Sequence, residues 1–278
     1  MQQHIFVLES VVEVSEGELL CSDSHPEFGV AHITKRQEQC QLVVNGAIWQ
    51  DWTMKDRPGI WNMKISGRES VIAWNVPTGV AWITPSSWTT IATGAASNVL
   101  VSPNHILATY SEDNIDTADS RQFESNIASV FSHEGALVLS LRQLLQTLSY
   151  QGVFMEVGHA CATSEEKFYF LADATPYIWI LDMIKRTLEM IPNGAVDDAL
   201  AISADREAVH LLCKDKDQCV VRSVNLAKRS TRRIALGRID SNILLDRAMR
   251  FKPIFGIAGG DFLTMGNRTV ELLRSKPC

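Results

Sequence analysis

No apolar run in the 278-residue chain approaches the roughly 18 residues that a membrane-crossing helix requires. Met1 to Ser10 lacks a basic stretch followed by an apolar core and a small-residue cleavage site, so no signal peptide is read there. A cytoplasmic location is the default expectation. No C-x-x-C pair occurs, which removes the commonest zinc and redox signatures. Six cysteines are scattered: Cys21, Cys40, Cys161, Cys213, Cys219 and Cys278. They are expected as free thiols packed as small apolar groups. A disulfide between Cys213 and Cys219, across the polar stretch Lys214 to Gln218, is the alternative.

Enzyme signatures are missing too. There is no G-x-S-x-G elbow, no Walker loop and no H-E-x-x-H. The seven histidines are dispersed; His159 and Cys161 lie two apart on one predicted strand, but a metal needs three or four ligands. The loop Glu112 to Asp119 lacks the alternating acids and glycine of an EF-hand. No cofactor and no metal is therefore expected.

What is present is an ordinary globular composition, 46% hydrophobic and 21% charged, with a net charge of −6. The charge is uneven. Residues 1–139 carry an acidic excess and residues 140–278 a basic one. An acidic chain is a weak candidate for nonspecific nucleic-acid binding.

The strongest pattern is a repeat. Over 196–236, four short apolar strands (Ala199–Ile202, Ala208–Cys213, Cys219–Leu226 and Thr231–Leu236) are separated by polar turns. Met155–Ala162, Lys167–Ala172, Tyr177–Asp182 and Thr187–Ile191 repeat the plan just before it. Four strands in about 40 residues is the length of a propeller blade. Further units follow from paired turns: Ser22-Asp23-Ser24 with Asn45-Gly46, Ser66 to Glu69 with Pro85 to Ser87, and Ser102 to Asn104 with Ser132 to Gly135. A last unit pairs Asp246 to Lys252 with Gly266-Asn267. The second turns recur roughly every 40 to 50 residues. The expectation is all-β: one β-propeller domain over 1–278, with about six four-stranded blades and five or seven as alternatives. A short helix is expected near 139–149, from leucines at helical spacing over Leu137 to Tyr150. Two segments compete to close the ring. His4 to Val14 could complete the last blade, yet Thr269 to Arg274 already fills a fourth-strand place there.

Ser102-Pro103-Asn104 and Ser203-Ala204-Asp205 resemble the Ser-Pro-Asp-Gly turn of WD40 and YVTN-type propellers. Tyr177 to Asp182 followed by Lys185-Arg186-Thr187 resembles their third strand, turn and fourth strand. No Gly-His opens a unit and no Trp-Asp closes one, so the resemblance is one of fold, to a divergent propeller of this type.

Three sets of residues are candidate binding groups. Six of the seven tryptophans (Trp49, Trp52, Trp61, Trp74, Trp82 and Trp88) fall in one stretch, and Trp49 and Trp52 precede a Pro-Gly break. They serve as packing between blades or as an aromatic platform. Asp113, Asp116 and Asp119 sit in a polar loop, Ser111 to Ser125, that is too long for a turn. Arg229 and Arg233 lie in a C-terminal basic run that could protect outer strands or meet a phosphate. The resulting reading is a non-enzymatic scaffold that binds a protein or peptide partner, with an inhibitor or immunity-type protein as its narrower form. The first alternative is a glycan or ester hydrolase whose carboxylates Asp51, Asp56, Asp113 and Asp261 converge. The second is a phosphate or nucleic-acid binder using the basic run. Oligomeric state is left open.

Overall fold

The computed structural model describes residues 4–57, 60, 62–75, 79–91, 96, 98–109, 128–148, 157–163, 165–172, 177–192, 199–236, 239–249, 254–257, 259–266 and 268–277. They form six four-stranded antiparallel blades in a ring.

The chain opens with β1 (His4–Glu13). Blade 1 follows as β2 (Glu18–His25), β3 (Gly29–Arg36), β4 (Gln39–Val44) and β5 (Ala47–Thr53). Blade 2 is β6 (Asn62–Gly67), β7 (Ser70–Asn75), β8 (Gly79–Ile83) and β9 (Trp88–Ile91). Blade 3 is β10 (Asn98–Val101), β11 (His105–Thr109), β12 (Ala128–Ser132) and β13 (Leu137–Ser140), followed by helix α1 (Leu141–Thr147). Blade 4 is β14 (Val157–Thr163), β15 (Lys167–Ala172), β16 (Tyr177–Asp182) and β17 (Thr187–Pro192). Blade 5 is β18 (Ala199–Ala204), β19 (Ala208–Asp215), β20 (Gln218–Asn225) and β21 (Thr231–Leu236), followed by helix α2 (Ser241–Met249). Blade 6 begins with β22 (Phe255–Gly256), β23 (Phe262–Met265) and β24 (Thr269–Pro277). Its fourth strand is β1, which runs antiparallel to β24 from His4 opposite Pro277 to Glu13 opposite Thr269.

The side-chain period of a strand is two, so each blade buries both faces. In β23, Phe262 packs toward blade 5, whereas Leu263 and Met265 pack toward blade 1. The core is accordingly six wedges, one between each neighbouring pair of blades. Trp52, Ile33 and Met63 share the wedge of blades 1 and 2, and Trp74, Val99 and Phe131 that of blades 2 and 3. Phe168, Trp179 and α1 residues Leu141 and Leu145 fill the next. Tyr169 and Val209 join blades 4 and 5. Phe6, Phe262 and α2 residue Leu244 join blades 5 and 6. Leu19, Leu263 and Leu272 complete the ring.

Three expectations need correction. Ser22-Asp23-Ser24 is not a turn: these residues lie inside β2, and the turn falls at Pro26 to Phe28. Of the three, Asp23 spends its polarity on the next blade. Leu137 is in a strand, and the helix spans only Leu141–Thr147. The last unit was read one strand out of step. Asp246 lies in α2, and the Gly266 turn joins the second strand to the third. The two-residue β22 is too short to announce itself, so β24 looked like a fourth strand when it is the third. Both claims on that place are thereby settled in favour of β1.

Candidate functional site at the channel mouth

The first strand of every blade lines the central channel. All six run in the same direction, so their C-terminal ends, with the turns to the second strands, gather on one face. The turns between third and fourth strands lie on that face too, as do His4 and Pro277. This is the turn face.

The turns are held by hydrogen bonds that cross between blades. Asp23 of β2 accepts from Lys64 Nζ at 3.0 Å and from the backbone N–H of Ile65 at 2.8 Å, both in β6. This ion pair is buried, with the two side chains 12% and 6% exposed. Lys64 Nζ also stands 5.1 Å from the centre of the Phe255 ring in blade 6. Glu166, in the turn before β15, has φ 58°, the left-handed region. Its carboxylate accepts from Ser102 Oγ (2.6 Å), the Asn104 backbone N–H (2.7 Å) and Asn104 Nδ2 (2.9 Å) of blade 3. The His105 ring nitrogen Nδ1 lies 2.7 Å from it.

Blade 5 uses a different device. Asp205 Oδ1 accepts the backbone N–H groups of Glu207 and Ala208, and Oδ2 lies 3.0 Å from His210 Nε2. Burial works against the Asp205 carboxylate, but the His210 bond and the two backbone donors outweigh it and hold the pKa below its ordinary value. Ser203 Oγ donates to the Ile257 carbonyl of blade 6. Gly256 lets the two blades approach, since a Cβ there would fall 1.6 Å from the Ile202 carbonyl oxygen.

Inside this collar lies a cavity of about 220 Å³ at the channel mouth. Its apolar wall includes Ile65, Leu100, Val101, Cys161 and Ile257, and its polar wall includes Asp23, Ser24, His25, Lys64 and Thr163. Burial pushes the Cys161 thiol up to about 12, so it stays protonated near neutrality. Burial also lowers the pKa of His25, with Asp23 and Glu27 opposing it in part, so the neutral ring is favoured. The His25 ring stacks on Phe28 at 4.2 Å. The Thr163 hydroxyl is buried without a hydrogen-bond partner. A second hollow of about 250 Å³ adjoins it, between His25, Glu165, Asp205 and Arg206. Arg206 bridges it to Glu165 at 3.0 Å.

The candidates from sequence are dispersed. Trp49 and Trp52 are on β5, the outermost strand of blade 1, away from the channel. Trp52 is buried against Trp88, with ring centres 5.3 Å apart, and Trp49 packs on the same wedge. Arg57 caps Trp88 at 4.4 Å. Arg229 pairs with Glu189 of blade 4, and Arg233 with Asp215 of its own blade, each at 3.2 Å. Asp113, Asp116 and Asp119, between β11 and β12, and Trp61 lie outside the described residues. Asp51 and Asp56 sit at the outer side of blade 1, bonded to Gln39 and Thr53. Asp261 is in blade 6, where burial raises its pKa and Arg274, 3.3 Å away, partly offsets this. None of the three lines either cavity at the mouth. None of the five described cysteines is in a disulfide, and the register sets Cys219 opposite Lys214, not Cys213. Among the described residues no cluster of three His, Cys, Asp or Glu side chains is placed to hold a metal ion.

Sequence reading missed the channel mouth. Asp23, Lys64, Thr163 and Glu166 are single residues from three blades, and no local spacing links them. The one usable signal was the turn motif itself. Ser102 and Asp205 stand where the WD40-type resemblance places them, between first and second strands.

The architecture defines the class: a six-bladed, all-β propeller of divergent WD40-like fold. The WD40 repeats of RRP9 superpose with a TM-score of 0.51 at 10% identity, over 96% of this chain and all of that one. The β-propeller domain of Cps50 (Swd1) from Myceliophteria thermophila gives 0.54 at 7% identity, over 96% and 99%. A protein of unknown function from Bacteroides thetaiotaomicron gives 0.55 at 10% identity, over 99% of this chain and 77% of that one. No family model matches the chain, and no curated protein does. Among the described residues no helix is long and apolar enough to cross a membrane.

Proposed function

We propose that residues 1–278 act as one non-enzymatic binding domain that holds a protein or peptide partner on the turn face. The observation that carries this reading is the channel-mouth cavity, an apolar pocket with a polar wall on turns stapled blade to blade. Rigid, concave and mixed in polarity is what a recognition site requires. Exposed apolar side chains surround the same face at the third-to-fourth-strand turns: Ile48 and Leu137 at the starts of β5 and β13, and Ile184 in the turn of blade 4, the last 75% exposed. Apolar groups at such a rim suit burial by a partner.

The test is affinity capture from the native lysate with the tagged chain and with an Ile184→Asp, Leu137→Asp double variant. A stoichiometric partner held by the first and lost by the second is expected. A partner held equally by both would move the site off this face, and repeated recovery of none would end the proposal.

A further inference from the structure

We infer that the channel-mouth cavity is the seat of a carboxamide, the tip of a glutamine or asparagine side chain carried by the bound segment. This rests on the turn face being the binding surface and adds what the pocket selects.

Size comes first. The cavity, at about 220 Å³, falls below the ~300–1,000 Å³ of pockets that enclose a whole drug-sized ligand. It fits one side chain entering from the mouth.

Charge comes second. Of the three carboxylate and ammonium groups that line the cavity, Lys64 and Asp23 are buried and neutralise one another at 3.0 Å. Glu27 stands at the exposed rim, where solvent screens it. The favoured neutral forms of His25 and Cys161 add no charge of their own. A buried carboxylate or ammonium would face this balanced pair with no counter-charge, at a large desolvation cost. A neutral guest avoids that cost.

Hydrogen bonding comes third. An ammonium has three donors. Lys64 gives one to Asp23 and turns toward the Phe255 ring, which accepts only weakly. Asp23 holds two donors on two oxygens and retains lone pairs. The walls therefore offer a spare N–H beside a spare carboxylate lone pair. A carboxamide presents the complement, a C=O acceptor and an NH₂ donor on one carbon. A hydrocarbon side chain would fill the space and leave both unmet.

The experiment is methyl NMR on the full chain, with four probes: N-acetyl methylamides of glutamine, glutamate, lysine and norleucine. The glutamine probe should move the methyl signals of Ile65, Leu100, Val101 and Ile257 in a saturable way. The other three should bind at least tenfold more weakly. Asp23→Asn, which leaves the lysine uncompensated, should transfer the preference to the glutamate probe. Lys64→Met should transfer it to the lysine probe, and the methyl spectrum itself reports whether each variant is folded. If Lys64→Met fails to fold, Asp23→Asn alone decides. No saturable response to any probe, an equal response to all four, or an order unchanged in Asp23→Asn would overturn the assignment. If the partner is still captured through the turn face while the glutamine probe fails, only the carboxamide is lost and the binding surface stands.

Discussion

Glu166 gathers four polar groups of blade 3 onto one buried carboxylate. Cutting it back to alanine leaves those groups unpaired, and breaking a buried charged network costs about 3 kcal/mol. Glu166→Ala should lose about that much in urea denaturation. Glu166→Gln, which keeps an acceptor oxygen, should lose only about 1–2 kcal/mol. Equal losses would show that shape and not hydrogen bonding holds this joint. A second residue-scale effect concerns pH. Burial lowers the pKa of His32 in blade 1, and its Nδ1 has no hydrogen-bond partner. The folded chain thus favours the neutral ring. That contribution is complete above the unfolded value of about 6.5 and is lost as pH falls through the lower folded value. Burial gives His25 and His133 the same sign, with nearby acceptors opposing it in part. The urea midpoint should therefore drop between about pH 7.5 and 5.5. His32→Asn should show a smaller drop than the unaltered chain.

Among the elements, β1 carries the most consequence. It is the outer strand of blade 6, and Ile5 and Phe6 also pair in parallel with Ala235 and Leu236 of β21. Phe6 is fully buried against Phe262. Phe6→Ala should cost about 3–5 kcal/mol, read from the same denaturation curves. Removing residues 1–13 should do more, since it bares β24 along its length, and unpaired edges recruit other chains. Self-association on a sizing column is the expected result. Element-level legibility followed local chemistry. Lys167–Ala172, Tyr177–Asp182 and Thr231–Leu236 were readable residue for residue, because each is an apolar run fenced by polar turns. Asn45-Gly46 was readable because φ is positive at both residues, 50° and 81°. Asp23 misled because its side chain bonds across to blade 2, a non-local use that looks like turn chemistry in one dimension. β22 was invisible because two residues carry no period.

At the scale of the whole molecule, the ring divides the core into six wedges, none larger than two neighbouring blades can supply. That arrangement is why the blade number was recoverable from spacing. Each wedge needs one blade's worth of apolar alternation on each side, so the repeat length is imposed by packing even where identity has gone. The same division hid the site. A wedge is built from neighbours in sequence, but the channel is built from one residue in every forty or so, and its chemistry has no linear signature. The tryptophans show the contrast. They cluster in sequence and, as Trp52 and Trp74 show, in the wedges of blade 2.

The pairing of β1 with β24 sets an order on synthesis. Lys276 and Glu9 bond across 267 residues of chain. Translation at about 5–20 residues per second puts on the order of ten to fifty seconds between the making of the two strands. Through that interval five blades can assemble in turn, each from strands already made, while the first strand waits without its mate. The ring shuts only when β24 emerges, so the closing step of this domain joins its first strand to its last.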